Sequence, residues 1–239
     1  CINLHCTYPF CTKSFTLTKE YMTMKPLIIL AGIIMLMSSS AYATQLGNIK
    51  GKKIVTLQNS VGTSIAKFNS NSPLEKFEGN SQSLQGSFTL NADNLEQSIG
   101  KISFPVRSMK TGLSKRDDHM YGKDWLDAQN HPNIEFELKK LSSISIKKSD
   151  NSGIEFSAIA EGMCSVKGIA KPAKAKLFVK YVLESETTRK RSPGDLVMID
   201  ADFSVSLKDY NVLGRGDIIG SKVGESIDLD IKLFGSTSN

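Results

Sequence analysis

Ile199-Asp200-Ala201-Asp202-Phe203-Ser204-Val205-Ser206-Leu207-Lys208 alternates apolar and polar residues without a break. Strict period two over ten residues is the pattern of a strand with one buried and one wet face. The pattern recurs on both sides. Ile227, Leu229, Ile231 and Leu233 alternate with Asp228, Asp230 and Lys232, and Ile154, Phe156, Ala158 and Ala160 repeat it. Ile134, Phe136 and Leu138 alternate with Glu135, Glu137 and Lys139, and Ile102, Phe104 and Val106 with Ser103, Pro105 and Arg107. One-sided alternation of this kind belongs to antiparallel sheets. Glu78-Gly79-Asn80, Asp150-Asn151-Ser152-Gly153, Ser192-Pro193-Gly194-Asp195 and Gly214-Arg215-Gly216-Asp217 supply turn chemistry between the runs. About eight strands follow, around 61–69, 74–90 (breaking near Gly79), 98–109, 133–147, 153–166, 174–185, 196–208 and 225–234. Such a series makes a sandwich or a barrel, and a barrel would remove the exposed edges.

One segment departs from period two. Ser114–Asn130 is polar and ends at His131-Pro132. Met120, Trp125, Leu126 and Ala128 can share one face of a short helical segment around 114–131, which Pro132 stops. It is expected to lie over the mouth or side of the sheet.

The 239 residues are 40% hydrophobic and 23% charged, with formal charge +6. This is globular composition and excludes wholesale disorder or a collagen-like repeat. The longest apolar run, Leu27–Met37, is shorter than the ~20 residues of a spanning helix. It follows Lys25 and precedes Ala41-Tyr42-Ala43, so 22–43 reads as a secretory signal cleaved after Ala43. Residues 1–21 read as an upstream extension, 44–60 as an N-terminal arm, either strand-like or a loose terminus, and 61–239 as one β domain. Residues 1–43 carry three lysines and one glutamate, and the remainder has a charge of +4, too mild to point to nucleic acid.

Cys1, Cys6 and Cys11 fall in the extension with only His5 beside them, which is no zinc pattern. Cys164 is the single later cysteine, expected as a small buried residue. His119 and His131 lie twelve apart, too loosely spaced to suggest a metal site even with Asp118 or Asp127. No nucleophile motif is present. Arg189-Lys190-Arg191 reads as a solvated hairpin tip or a contact with anionic lipid. Arg215-Gly216-Asp217 reads as a turn.

Several motifs occur in one order. Phe77-Glu78-Gly79 and Leu84-Gln85-Gly86-Ser87-Phe88 precede Phe104-Pro105-Val106-Arg107-Ser108-Met109-Lys110-Thr111-Gly112. Arg116-Asp117-Asp118-His119-Met120, Trp125-Leu126-Asp127-Ala128 and Pro132-Asn133-Ile134-Glu135-Phe136 follow. Gly162, Lys167-Gly168-Ile169-Ala170-Lys171-Pro172, Phe203–Tyr210 and Val223-Gly224-Glu225 complete the series. Over about 61–234 the set resembles the YceI-like family of exported lipid-binding proteins. Met163-Cys164-Ser165-Val166 departs from the Leu-Thr-Ile-rich stretch common there. The resemblance implies an all-β, eight-stranded antiparallel lipocalin-like β-barrel that binds a polyisoprenoid chain, such as a quinone tail or polyprenyl lipid. Neither cofactor nor catalysis is implied.

In such a barrel the inward candidates are Phe88, Ile102, Phe104, Val106, Phe136, Leu138, Phe156, Phe203, Val205 and Leu207. Alternation fixes their face and not the enclosed volume, so a ligand channel and a filled core both remain open at this point. Arg116, Asp117, His119, Met120 and Trp125 are the mouth or lid candidates. Arg116 and Asp117 are expected to pair and to cap the helical segment. Expected partners are an isoprenoid lipid or quinone and a transient membrane surface. A monomer and a homodimer both fit, as do periplasmic and secreted locations. Two rival readings stand beside this one. One is a ligand-free interaction barrel. The other is an enzyme acting on a prenyl or quinone substrate, with His119 and Asp117 as acid and base.

Overall fold

The computed structural model describes residues 43–237. The extension and all of the signal except Ala43 lie outside the described residues. Ten strands are present: β1 Lys52–Leu57, β2 Ile65–Asn71, β3 Lys76–Ser81, β4 Gln85–Asn91, β5 Ile99–Pro105, β6 Asn133–Asp150, β7 Gly153–Val166, β8 Ile169–Val182, β9 Leu196–Ser206 and β10 Ser226–Thr237. All neighbours pair antiparallel, and β10 returns to β1. β10 holds β2 along Ile227–Lys232 and β1 along Gly235–Thr237. β1 and β2 are therefore one barrel strand interrupted at 58–64, and β3 and β4 are its partner, interrupted at 82–84. Counted round the circumference, the molecule is an eight-stranded closed antiparallel barrel of the lipocalin-like kind.

The alternation seen in sequence appears as burial. β7 alternates buried and half-buried positions along nearly its whole length. Its outward residues meet counter-charges on neighbouring strands, as in Glu161 with Lys140 and Lys174 (3.4 and 3.5 Å) and Glu155 with Lys180 (3.1 Å). β7 and β8 are joined by Lys167-Gly168, both at positive φ (49° and 73°), the geometry of a two-residue hairpin turn. β6 is eighteen residues long and bends at three irregularities, between Leu138/Lys140, Ser142/Ser145 and Ile146/Lys148.

The segment 44–60 contributes β1, a strand of the barrel. Three local expectations are corrected. Gly79 does not break the strand but sits within β3, where a Cβ would come within 2.2 Å of the Phe68 ring and 2.6 Å of the Lys110 carbonyl oxygen. The glycine admits a close approach, as strand glycines often do. The run 98–109 ends as strand at Pro105. Val106–Ser108 turns as a short 3-10 helix, and Asn80 and Lys110 then exchange two backbone hydrogen bonds of 2.8 Å. Within 114–131 only Ser114–Tyr121 (α1) is α-helix, the remainder being turns.

The β5–β6, β7–β8 and β9–β10 connections share one end of the barrel with the β2–β3 turn. The opposite end, the base, holds the β4–β5, β6–β7 and β8–β9 connections. At the base, Leu46, Leu95, Phe156 and Tyr181 are fully buried in one apolar cluster. Tyr181 donates its hydroxyl to Asp195 Oδ2, while Asp195 Oδ1 accepts the Glu184 N–H at 2.8 Å. The Asp195 N–H donates to Thr237 Oγ1 at 2.8 Å, tying the β8–β9 connection to the end of β10.

Candidate functional site

The barrel interior is hollow. A cavity of about 760 Å³ runs along it, within the ~300–1,000 Å³ range of ligand pockets. Alternation places the wall. Phe88 on β4, Ile102 and Phe104 on β5, Phe136 and Leu138 on β6, Phe156 on β7, and Phe203 and Val205 on β9 all face it, as does Leu207 just beyond β9. The Phe136 and Phe203 rings meet at 5.9 Å between centroids, tilted by 51°. Val106 does not line the cavity. Its backbone lies in the 3-10 turn after β5, its N–H donates to Pro132 O at 2.8 Å, and its side chain is buried in the apolar cluster at the mouth end.

Sequence reasoning missed part of the wall. Ile227, Leu229, Ile231 and Leu233 of β10 also line the cavity, and their alternation was the signal for it. Ala160, Ala175 and Ala201 line it from three adjacent strands, β7, β8 and β9. Small side chains on three neighbouring strands leave the space that larger ones would fill.

Ser98 lines the cavity at the base, whereas the charged lining lies at the α1 end. Arg116 and His119 on α1, with Met120 and Trp125, line it there, beside Glu75, Lys115 and Lys222. Arg116 does not pair with Asp117. Its guanidinium pairs with Glu75, across the mouth on the β2–β3 turn, and stacks 4.3 Å from the Phe77 ring centroid. Asp117 does not line the cavity. Only 5% exposed, it accepts from the Thr111 N–H (2.8 Å) and Thr111 Oγ1 (2.7 Å), with Lys110 Nζ at 4.0 Å. It fixes the loop ahead of α1 rather than capping the helix, whose N-cap position is Leu113. Trp125 packs on Gly214, where a Cβ would stand 3.1 Å from its ring.

The rim carries apolar groups in water. Leu74 and Leu113 are 71% and 55% exposed. Lys115 and Lys222 have no carboxylate within ion-pair distance among the described residues. Arg189-Lys190-Arg191 lies at the base, and Arg189 is paired with Glu184.

The reactive groups are quiet. Burial pushes the Cys164 thiol up, with the Tyr210 hydroxyl beside it opposing the shift more weakly, so the thiol stays protonated near neutrality. Cys164 lines the cavity as a small apolar residue. His131 packs over Gly168, away from His119. Among the described residues, no group of three His, Cys, Asp or Glu side chains could hold a metal ion. No described helix is long and apolar enough to cross a membrane.

Known proteins bear on this geometry. Residues 53–234 match the family model of the YceI-like domain. A UPF0312 protein of Pseudomonas savastanoi pv. phaseolicola is 24% identical over 152 residues, 63% of this chain and 68% of its own. BcnA of Burkholderia cenocepacia superposes with a TM-score of 0.54 at 18% identity, covering 72% of this chain and 95% of that one. The YceI protein of Campylobacter jejuni gives 0.54 at 15% identity, with 71% and 89% covered. A polyisoprenoid binding domain from Saccharophagus degradans, implicated in plant cell wall breakdown, gives 0.55 at 10%, with 78% and 99% covered. At these identities the structural likenesses speak for the barrel alone. The family model spans most of the chain, and the protein belongs to the YceI-like family.

Proposed function

We propose that the protein is an exported carrier or store that encloses a polyisoprenoid chain, such as a quinone tail or polyprenyl lipid, and performs no bond chemistry on it. The observation that carries this reading is the apolar cavity of about 760 Å³ whose charged lining is gathered at the mouth end. A hydrocarbon tail offers no group to hydrogen-bond, and a wall of Phe, Leu, Ile and Ala side chains asks for none. The name of the Saccharophagus degradans domain supports the same ligand class. No further cofactor is part of this reading.

The energetics suit exchange rather than trapping. Each methylene removed from water gains about 0.8 kcal/mol. The tail's alternative home is a bilayer, where it is already dry, so net transfer lies near zero. The head group would then sit at the mouth beside His119, Lys115 and Lys222. The same rim, with Leu74 and Leu113 exposed, is the face that would meet an anionic bilayer, each basic residue near the surface contributing about 1 kcal/mol. The leader expected over 22–43 supports a periplasmic or extracellular location for this carrier.

The test is lipid mass spectrometry on organic extracts of residues 44–239, exported and purified without detergent. A stoichiometric isoprenoid is the expected result, and Phe104→Arg should abolish its retention. A clean extract, before and after incubation with quinone-bearing vesicles, would sink the reading.

A further inference from the structure

The base of the barrel is closed by the residues that directly follow Ala43. Leu46 is fully buried there, and its N–H donates to the Ala92 carbonyl at 2.8 Å. The Thr44 carbonyl accepts from the Leu95 N–H at 2.9 Å. The backbone nitrogen of Thr44 faces a carboxylate, lying 3.1 Å from Glu96 Oε2 and 3.4 Å from Oε1. Thr44 Oγ1 donates to Glu96 Oε1 at 2.6 Å. One side chain thus collects every donor of Thr44. An amide offers a single neutral N–H to this carboxylate, which can accept several donors and carries a full charge. An α-ammonium offers three N–H groups and the opposite charge. Ala43, exposed to solvent, ends the small-x-small sequence Ala41-Tyr42-Ala43.

We propose that Glu96 is the receiving site for the α-ammonium of Thr44 formed when the leader is removed, and that this ion pair locks the plug over the base of the barrel. An endopeptidase of the export machinery adds water across the Ala43–Thr44 amide. The new carboxylate leaves on Ala43, and the new amine takes a proton at neutral pH, because an α-amino group titrates near 8. Maturation then locks a plug that is already seated. The ammonium is generated at the residue whose backbone already faces Glu96, and Thr44–Ile49 is held from its first atom. The proposal rests on the export reading above and is independent of the lipid reading.

The full chain is expressed with its leader in an exporting bacterium, and the N-terminus of the product is read by intact mass. A chain beginning at Thr44 is expected. Two forms are then compared in urea unfolding, one starting at Thr44 and one retaining Ala43, each with Glu96 and with Glu96→Gln. The substitution should lower the folding equilibrium constant about two- to fivefold more in the Thr44 form, the range of an ion pair near the surface. Should the glutamine variant not fold, acetylating the Thr44 amine removes the charge with Glu96 intact, and the same loss is expected. A mature chain starting elsewhere, an equal cost of Glu96→Gln in both forms, or an acetylated chain as stable as the free one would overturn the proposal. Lipid content of the same preparations is read separately, so its absence would fall on the lipid reading alone.

Discussion

At the base of the barrel, Leu46, Leu95 and Tyr181 are fully buried, and backbone hydrogen bonds hold the chain across the opening. At the mouth, Leu74 and Leu113 stand mostly in water; backbone hydrogen bonds of 3.1 Å join Gly214 to Asp124 and Leu74 to Ser221, but α1 reaches across the opening through a side chain, Arg116 on Glu75. The same strands run to both ends. What differs is the kind of closure. Backbone hydrogen bonds with fully buried side chains open only when that part of the fold opens, whereas half-exposed side chains can change rotamer without disturbing a ladder. A ligand would therefore enter and leave past α1. The largest expected effect tests this difference. Leu46→Ala should cost about 2–5 kcal/mol of stability, as for fully buried leucines elsewhere. Leu113→Ala should stay within about 0.5 kcal/mol, as for exposed positions. Urea unfolding of the two variants measures both, and equal costs would erase the distinction between the ends.

The strands were legible because period two is a local property. β7 and β9 follow directly from Ile154–Ala160 and Ile199–Leu207. β1 was legible only as a strand-like or loose arm, since Lys52–Leu57 is too short and mixed to alternate clearly, and its place is set by β10 and β4. The wall of the cavity was legible as a face, and its hollowness was not. Nothing local in Ala160, Ala175 or Ala201 says that β7, β8 and β9 lie side by side and put three small residues round one space. Arg116 was legible as a mouth residue, but its partner Glu75 lies 41 residues away. Sequence proximity pointed instead to Asp117, which turned to Thr111.

A second test uses the two buried tyrosines, one at each end. Burial, reinforced by the Asp195 carboxylate, raises the Tyr181 hydroxyl far above its ordinary range. Burial, with the Cys164 thiol beside it, raises Tyr210 as well. Each folded value lies above the unfolded one, which is near 10. Below that pH both states hold the proton and the stabilisation is intact. Above it the unfolded chain ionises first, so stability falls by up to about 1.4 kcal/mol per pH unit for each tyrosine. Tyr181→Phe should remove the base contribution to this alkaline slope, and Tyr210→Phe the mouth contribution. Unfolding midpoints between pH 9 and 11 measure it. A slope unchanged by Tyr181→Phe would mean that its hydroxyl is already reached by solvent.

Filling the cavity separates the interior from both ends. Ala201→Phe adds a ring where β9 faces open space, and should lower retention of an isoprenoid about tenfold while leaving the urea midpoint within about 1 kcal/mol of the parent. Overpacking of a filled core would instead cost about 1–3 kcal/mol. Retention is read by mass spectrometry of extracts and the midpoint by fluorescence of Trp125. A variant that keeps its lipid fully would move the ligand away from β9.

The smallest expected effect concerns the rim. Lys115 and Lys222 line the opening without an ion-pair partner among the described residues, whereas Lys190 and Arg191 project from the base. If approach to an anionic bilayer is made mouth first, Lys115→Glu with Lys222→Glu should slow transfer of a fluorescent prenyl lipid from anionic vesicles several-fold. The slowing should fade between low salt and 0.15 M, where the Debye length falls to about 8 Å. Lys190→Glu with Arg191→Glu makes the same change in charge at the other end and should leave the rate nearly unchanged. Equal slowing by the two pairs would show that overall charge, and not the orientation of the mouth, governs the encounter. A difference between them would assign the encounter to the end that α1 covers.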